Sequence, residues 1–207
     1  MTVSRSQMGK TTLLIKLLKF FWLDKFDKIY IFCPTYKQDH KWSDIDSYVK
    51  SKKVLVYPEV KNRILKKIWR YCAAKKQTHA NYHTLVLMDD CVGQKDFKTN
   101  SDQGIVNKIV CKGNHSNIST IYSVQKITNV STSMRLQCEA LLAFYISDTK
   151  EKKSLFQEFG AGTWKQFQEI LERCTAQPFH FLYMKRQGPG RPKFYHNFRL
   201  IDPKSFE

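Results

Sequence analysis

The sequence is poor in acidic residues and has no long apolar run. Its 207 residues include 18 Asp and Glu against 35 Lys and Arg, which gives a formal net charge of +17. No stretch has the length and apolarity of a membrane span, and the N-terminus lacks the apolar segment of a signal peptide. We therefore expect an intracellular protein without a membrane partner. The excess of cations favours nucleic acid as the ligand and an anionic membrane surface second, and a basic composition that reflects solubility or host bias is the alternative.

Closely spaced cysteines are also missing. The six cysteines are scattered, and none belongs to a Cys-x-x-Cys pair. Zinc sites usually draw ligands from such pairs, and disulfide scaffolds are short and dense in cysteine. We therefore expect free thiols in a reducing compartment. The hydrophobic fraction of 42% is that of a folded protein.

A phosphate-binding loop is predicted between Ser4 and Thr11. Its second half, Gly9-Lys10-Thr11, completes the pattern Gly-x-x-x-x-Gly-Lys-Ser/Thr, in which backbone N–H groups and the lysine bind phosphate and the hydroxyl binds Mg²⁺. Ser4 replaces the first glycine, so a plain helix start with a Thr cap is the alternative. Only Met1–Val3 precede the loop, so its supporting strand either is very short or begins before this sequence. The predicted nucleotide-binding residues are Ser6, Gln7, Met8, Gly9, Lys10, Thr11 and Thr12.

A second motif, Thr84–Asp90, is an apolar strand that ends in two carboxylates. Ligands bind beyond the carboxyl ends of parallel strands, so these acids should lie near the phosphate loop. We predict that Asp89 binds Mg²⁺ together with Thr11, and that Asp90 polarises the attacking water. An exposed acidic pair that caps a turn is the alternative. Because the two motifs occur together, the sequence predicts a nucleotide site.

Strand and helix patterns alternate over most of the chain and predict an α/β fold with a mostly parallel central sheet flanked by helices. We expect one domain over residues 1–207, with a nucleotide-binding core at 1–148 and a helical segment plus a basic β-hairpin at 149–207. The predicted strands are Lys28–Cys33, Val54–Tyr57, Thr84–Asp90, Ile118–Val124, Leu141–Ile146, Phe179–Met184 and Phe194–Ile201. The predicted helices follow the phosphate loop to about Leu23 and then cover Asn62–Lys76, a segment from Ile105 that Gly113 ends, and Thr163–Cys174.

Two polar side chains follow these elements. Gln125 ends the strand after the acidic one, where a neutral amide can bind the γ-phosphate or orient water; an ordinary strand-end residue is the alternative. Arg135 lies in a loop or short helix over Asn129–Glu139. It is the candidate arginine finger, because a guanidinium can bind the transferred phosphoryl group, and a surface arginine is the alternative.

Cations cluster around the Gly- and Pro-rich turn of the predicted hairpin, where they can lie along nucleic-acid phosphates. Its Gly190-Arg191-Pro192 core is similar to minor-groove hooks. A hairpin that only improves solubility is the alternative. The predicted nucleic-acid contacts are Lys112, Lys185, Arg186, Arg191 and Lys193.

The order of these motifs resembles the poxvirus-type genome-packaging ATPases of the FtsK-HerA superfamily, which occur in large DNA viruses, virophages and related elements. The resemblance extends to about Ile146 and implies a RecA-like core, a ring of subunits, Mg²⁺-dependent ATP hydrolysis and translocation of double-stranded DNA into a preformed capsid. It rests on Ser4–Thr11, Thr84–Asp90, Lys112–Ser119, the strand that ends at Gln125, and Met134-Arg135 before Cys138-Glu139.

Two positions depart from the family pattern. Ser4 stands where members usually have glycine, and Asn114-His115 stands where they have an Arg-His pair. The second departure removes a candidate trans-acting arginine, so Arg135 becomes the better choice and Lys112 the second.

The resulting prediction is an ATP-driven motor that packages viral double-stranded DNA, with ATP and Mg²⁺ as cofactors. The expected partners are DNA, a capsid or portal vertex, and further copies of the chain in a ring of five or six. The expected location is the host cytoplasm or a viral factory, with virion association as a further option. The alternatives are a helicase-like replication ATPase and a non-hydrolysing DNA- or capsid-binding protein, which Ser4 leaves open.

Overall fold

The computed structural model describes residues 1–3, 8–51, 53–91, 94, 104–186 and 192–201. The chain forms two compact units, one made of Thr11–Ser123 and the other of Met1–Lys10 together with Val124–Glu207. The α-helices are α1 (Lys10–Leu17), α2 (Asp46–Lys50), α3 (Asn62–Thr78), α4 (Ile105–Lys112), α5 (Thr132–Leu136), α6 (Thr149–Phe159) and α7 (Trp164–Thr175). The strands are β1 (Thr2–Val3), β2 (Lys28–Phe32), β3 (Val54–Tyr57), β4 (Thr84–Asp89), β5 (Ile118–Val124), β6 (Ala140–Ala143), β7 (Leu182–Lys185), β8 (Lys193–His196) and β9 (Arg199–Leu200). No helix among these residues is long and apolar enough to cross a membrane.

The unit Thr11–Ser123 is built on four parallel strands in the order β3-β2-β4-β5. Every residue of β4 is buried, which explains why its sequence is almost wholly apolar instead of alternating. The parallel sheet predicted from the strand patterns is therefore present. Its carboxyl edge carries Asp89, the last residue of β4.

The helix that follows the phosphate loop packs on one face of these strands. Leu14 and Leu18 belong to the same buried cluster as Ile29 and Ile31 of β2. Helix α1 continues into a π-helical turn, Leu18–Trp22, so the helical segment ends near Leu23 as predicted. The cluster also contains Trp42 and Ile45 of a 3-10 helix, His40–Ile45, that the sequence patterns did not predict. Its other members are Ile15, Leu23, Cys33, Val54, Leu85 and Leu87.

Helix α3 packs on the face of these strands that is opposite to α1. Its buried residues are Leu65, Ile68 and Cys72, and the Cys72 thiol donates a hydrogen bond to the Thr84 hydroxyl of β4 at 3.3 Å. Burial raises the pKa of Tyr30, the β2 residue next to Cys72. Helices thus lie on both faces of a parallel sheet, which is the arrangement that keeps its backbone out of water.

The second unit joins the start of the chain to its C-terminal part. Strand β1 pairs in parallel with β6, with Thr2 opposite Leu142 and Val3 opposite Ala143. Strands β6, β7, β8 and β9 then pair antiparallel in that order. The segment before the phosphate loop is therefore a two-residue strand held by β6.

The C-terminal strands are shorter than the aromatic patterns predicted. The prediction of one strand over Phe194–Ile201 is wrong, because Asn197 and Phe198 have φ of 48° and 69° and form a tight turn between β8 and β9. The strand predicted from Phe179 begins only at Leu182, because Phe179 has a φ of 67°. The strand predicted from Leu141 to Ile146 is observed as β6 and ends at Ala143. The predicted β7–β8 hairpin is present.

Helices α6 and α7 pack through aromatic side chains. The Phe156 ring lies 5.5 Å from Trp164 and 5.4 Å from Phe167, measured between centroids, and Phe167 in turn contacts Phe194 of β8 at 6.3 Å. Helix α7 begins with a capping box in which the Thr163 side chain accepts from the backbone of Gln166. This packing attaches the hairpin to the helices of its unit.

One guanidinium, that of Arg186, joins the C-terminal ends of α5 and α6. Its Nη1 donates to the carbonyls of Arg135 at 3.2 Å and Leu136 at 2.6 Å, and its Nη2 donates to the carbonyl of Glu158 at 2.7 Å. It also lies 4.2 Å from the centroid of the Phe159 ring. Carbonyls at the end of a helix lack partners within the helix, so a cation is well suited to this position.

The carboxylate of Glu158 serves two arginines at this junction. It lies 3.4 Å from Nη1 of Arg135 and 3.6 Å from Nη2 of Arg186, and its side chain is only 12% exposed. Removal of one partner from a largely buried ion pair leaves the remaining charges without compensation. We infer that Glu158 contributes to the stability of this unit.

We predict that Glu158→Gln lowers the free energy of unfolding by about 1–3 kcal/mol, because both arginines lose their counter-charge. Chemical denaturation measures this change. The matched control is Glu59→Gln, because Glu59 pairs with Lys61 at 2.5 Å on the surface, where both side chains are about half exposed. The control should cost less than about 1 kcal/mol. Equal losses in the two variants would contradict the role of Glu158.

Candidate nucleotide-binding site

The described end of the phosphate loop leads directly into α1. Gly9 has a φ of 89°, a conformation that glycine adopts without strain, and α1 begins at the next residue, Lys10. Lys10 is largely buried, and Thr11 and Thr12 are half-buried in the first turn. The N–H groups of a first helical turn lack acceptors within the helix, and with the positive dipole end they favour an anion. No acidic residue of α1 lies in this turn to oppose that. Ser4, Ser6 and Gln7 lie outside the described residues, whereas Met8 is described and half-buried.

A hydrogen bond joins the last residue of the phosphate loop to the acidic strand. The Thr11 hydroxyl donates to Oδ2 of Asp89 over 2.8 Å. Asp89 is only 1% exposed, at the carboxyl end of β4. Hydroxyl and carboxylate oxygens are the hard ligands that Mg²⁺ prefers, and Mg²⁺ usually takes only one or two of them from protein. Among the described residues there is no cluster of three or more His, Cys, Asp or Glu that could hold a metal ion. The Thr11 hydroxyl and the Asp89 carboxylate have the donor chemistry that suits Mg²⁺.

Asp90 lies just beyond the strand and is exposed. Its φ is 52°, a left-handed conformation that aspartate tolerates better than most residues. The residue after Asp90 is Cys91, and its contacts fix the backbone there. Its buried thiol donates to the carbonyls of Phe32 at 3.2 Å and Asp89 at 3.3 Å. Asp89 and Asp90 are therefore adjacent in sequence but differ in environment, one carboxylate buried and the other open to water.

The thiols near this edge are protonated at neutral pH. Burial, with a smaller effect of Asp89, raises the pKa of Cys33 to about 11, and burial also raises the pKa of Cys91. None of the six cysteines forms a disulfide bond. A protonated, buried thiol is a poor nucleophile and a poor metal ligand. The thiols therefore contribute packing to the site.

Gln125 is exposed at the end of β5, the strand that pairs with β4. In this register Asp89 lies opposite Ser123, and Gln125 is two residues after Ser123. The segment after Gln125 is fixed by the buried carboxylate of Glu151, which accepts from the N–H of Ile127 at 2.7 Å and from the N–H and hydroxyl of Thr128.

Sequence patterns did not single out Glu151. The available signal was Asp148-x-x-Glu151, which is typical of a helix start. Asp148 does cap α6, and the N–H groups of Glu151 and Lys150 hold the pKa of Asp148 below its usual value. Glu151, however, turns to the loop after β5, a partner that only the tertiary fold supplies.

Arg135 lies in α5, within the predicted loop or short helix. Its Nη1 pairs with Glu158 at 3.4 Å, and its Nη2 donates to the Thr132 hydroxyl at 3.0 Å. The side chain is 16% exposed. Arg135 is thus held within its own unit, and Glu158 is a partner that the sequence did not reveal.

The residues predicted to bind nucleic acid have different environments. Lys185 and Lys193 are exposed and lie directly opposite each other in the β7–β8 hairpin. Like charges in this position weaken strand pairing, so folding does not explain them. Lys112 is exposed at the end of α4, the guanidinium of Arg186 is engaged by backbone carbonyls, and Arg191 lies outside the described residues.

Comparisons with solved structures find the same fold. The chain is similar to the genome packaging NTPase B204 from Sulfolobus turreted icosahedral virus 2 in complex with AMP, with a TM-score of 0.67, 15% identity, and coverage of 97% of this chain and 96% of that chain. The ATP-gammaS complex of B204 gives a TM-score of 0.64 at 18% identity, with the same coverage. EssC (ATPases 2 and 3) from Geobacillus thermodenitrificans gives a TM-score of 0.54 at 13% identity, over 98% of this chain and 39% of that chain. The predicted P-loop ATPase fold is confirmed.

Sequence comparison identifies the family. No curated protein sequence matches the chain. A family model described as Poxvirus A32 protein matches residues 1–158. This match includes the phosphate loop, the acidic strand, Gln125 and Arg135. The chain therefore belongs to the Poxvirus A32 protein family, and the resemblance to viral genome-packaging ATPases that its motifs indicated is confirmed.

Proposed function

We propose that the protein is an ATP-hydrolysing motor that moves double-stranded DNA into a viral capsid. The observation that carries this proposal is the hydrogen bond between Thr11 and Asp89, because it joins the two motifs that ATP hydrolysis requires. Family membership supports the packaging role, as does the fold shared with B204, which is described as the DNA-packaging ATPase from Sulfolobus turreted icosahedral virus. B204 complexes with AMP, AMPPCP and ATP-gammaS support a nucleotide as the ligand.

The phosphates of ATP bind at the start of α1. The N–H groups of the first turn and the Lys10 ammonium provide positive charge there, and Gly9 provides the turn that directs them. Thr11 and Asp89 would hold Mg²⁺ through their side-chain oxygens. The ion would supply positive charge that offsets the negative charge of the β- and γ-phosphates.

Hydrolysis requires a base or positioning group for water. The exposed carboxylate of Asp90 accepts the proton of the attacking water, whose oxygen bonds to the γ-phosphorus as the bond to the bridging oxygen breaks. ADP and phosphate leave. Gln125, which follows the neighbouring strand, orients the water or the γ-phosphate through its amide.

Duplex DNA is the polyanion that the charge favours. A net charge of +17 attracts DNA through counterion release, and the opposed Lys185 and Lys193 concentrate cations on one hairpin. Lys112 and Arg191 are further candidate contacts, whereas we assign Arg186 first to the ends of α5 and α6. Subunits act as a ring of five or six at a capsid or portal vertex in the infected cell, in the host cytoplasm or a viral factory.

We predict that Lys10→Ala abolishes detectable ATP binding, whereas Asp90→Asn still binds ATP and loses turnover by about 100-fold or more, because a general base is removed. Isothermal titration and phosphate release measure the two effects. Asp24→Asn is the control, because Asp24 is 99% exposed and precedes β2 at the opposite edge of the parallel strands. Wild-type turnover by Asp90→Asn would exclude Asp90 as the base.

Duplex DNA is expected to increase the ATPase rate, because a motor couples its cycle to its track. The stimulation should fall steeply with salt, and the double variant Lys185→Ala/Lys193→Ala should bind DNA more weakly with a log–log salt slope reduced by about 2. The matched control is Lys37→Ala/Lys50→Ala, which removes the same charge from exposed positions elsewhere. An ATPase rate that duplex DNA does not change at low salt would contradict the packaging proposal, and strand separation would indicate a helicase instead.

Arg135 is proposed to reach the phosphates of its own or a neighbouring subunit. Loss of an arginine finger typically costs about 10³-fold in turnover, so Arg135→Ala should be nearly inactive. If the arginine acts in trans, a mixture of Arg135→Ala and Asp90→Asn subunits regains activity, because some interfaces combine an intact Arg135 with an intact Asp90. A mixture as inactive as its components, although both variants melt like the wild-type protein, would rule out the trans arrangement.

A further inference from the structure

An aromatic ring lies directly against the glycine of the phosphate loop. A Cβ atom on Gly9 would be 2.9 Å from Cδ1 of Phe179 and 3.7 Å from Cγ, so the ring edge occupies the space that a side chain at position 9 would need. Both residues belong to the same compact unit. Glycine is therefore required at position 9 for two reasons, the φ of 89° and the close approach of the Phe179 ring.

Folding does not explain the position of this ring. Phe179 is 66% exposed, so its burial contributes little to the core. Its φ of 67° is unfavourable for a bulky residue. An unfavourable backbone that also leaves an apolar ring in water points to a contact with another molecule.

The chain on either side holds Phe179 in this conformation. The N–H of His180 donates to the carbonyl of Gln177 at 3.2 Å, which closes a turn around Phe179. Phe181, which follows His180, makes two hydrogen bonds with Asn197. The Phe181 N–H donates to the Asn197 side chain at 3.0 Å, and the Phe181 carbonyl accepts from the Asn197 N–H at 3.2 Å. The backbone that carries Phe179 is thus held by hydrogen bonds of its neighbours on the C-terminal side.

We propose that Phe179 is the stacking surface for the base of the bound nucleotide. This assignment rests on the proposed function, in which the start of α1 binds the phosphates. Phe179 lies beside Gly9 and is largely exposed, with an aromatic ring whose faces carry no polar atoms. Nucleotide bases stack on such faces largely independently of their identity. Phe179 therefore adds affinity for the nucleoside part of the ligand without selecting adenine by hydrogen bonds.

The test separates the base from the phosphates. Phe179→Ala should weaken ATP binding by about 5- to 100-fold and leave the binding of inorganic tripolyphosphate unchanged, because only ATP has a base to stack. Phe179→Tyr should retain wild-type affinity for both ligands. In Phe179→Trp, ATP should quench the indole fluorescence more than tripolyphosphate does. Isothermal titration of the full chain measures the affinities.

The control is Phe20→Ala, because Phe20 is 67% exposed and lies in the π-helical turn after α1 instead of against the loop. It should change neither affinity. Equal weakening of ATP and tripolyphosphate by Phe179→Ala would show that the ring only supports the loop, and no weakening of either would show that it has no role; both results overturn the assignment. A wild-type chain that binds neither ligand would overturn the proposed function itself.

Discussion

The buried carboxylate of Asp89 is the constraint on which the site depends. A carboxylate that is 1% exposed needs a hydrogen-bond donor or a cation, because burial without one is costly. Thr11 supplies a donor at 2.8 Å, which is possible only while the first turn of α1 stays beside the end of β4. The packing of Leu14 and Leu18 against β2 holds the helix there. The apolar core of this unit thus sets the geometry of its polar edge.

Carboxylates are scarce in this protein, and several of them hold functional segments in place. Glu151 binds the backbone that follows Gln125, and Glu158 binds the guanidinium of Arg135. The chain has a net charge of +17, and most of the Lys and Arg residues that the structure describes are exposed, where they contribute to a field that favours polyanions. The buried acids therefore act mainly on geometry, whereas the exposed bases set the charge of the surface.

The predicted elements that proved accurate have local causes. Strand β4 was recognisable because burial on both faces requires a continuous apolar run, and the start of α1 because Gly-Lys-Thr is a local pattern. The error over Phe194–Ile201 also has a local cause. The alternation continues through Asn197 and Phe198, but both residues have positive φ, and phenylalanine gives no signal for that conformation.

The sequence by itself determined the family, the parallel sheet and the two motifs that meet at the nucleotide site, because each depends on residues that are close along the chain. Only the tertiary structure decided which distant side chains complete these elements. Glu158 beside Arg135, Glu151 beneath the loop after Gln125, and Phe179 against Gly9 are contacts between separate segments. Periodicity and propensity describe how one segment presents its faces, but the partner of each face depends on how the whole chain packs.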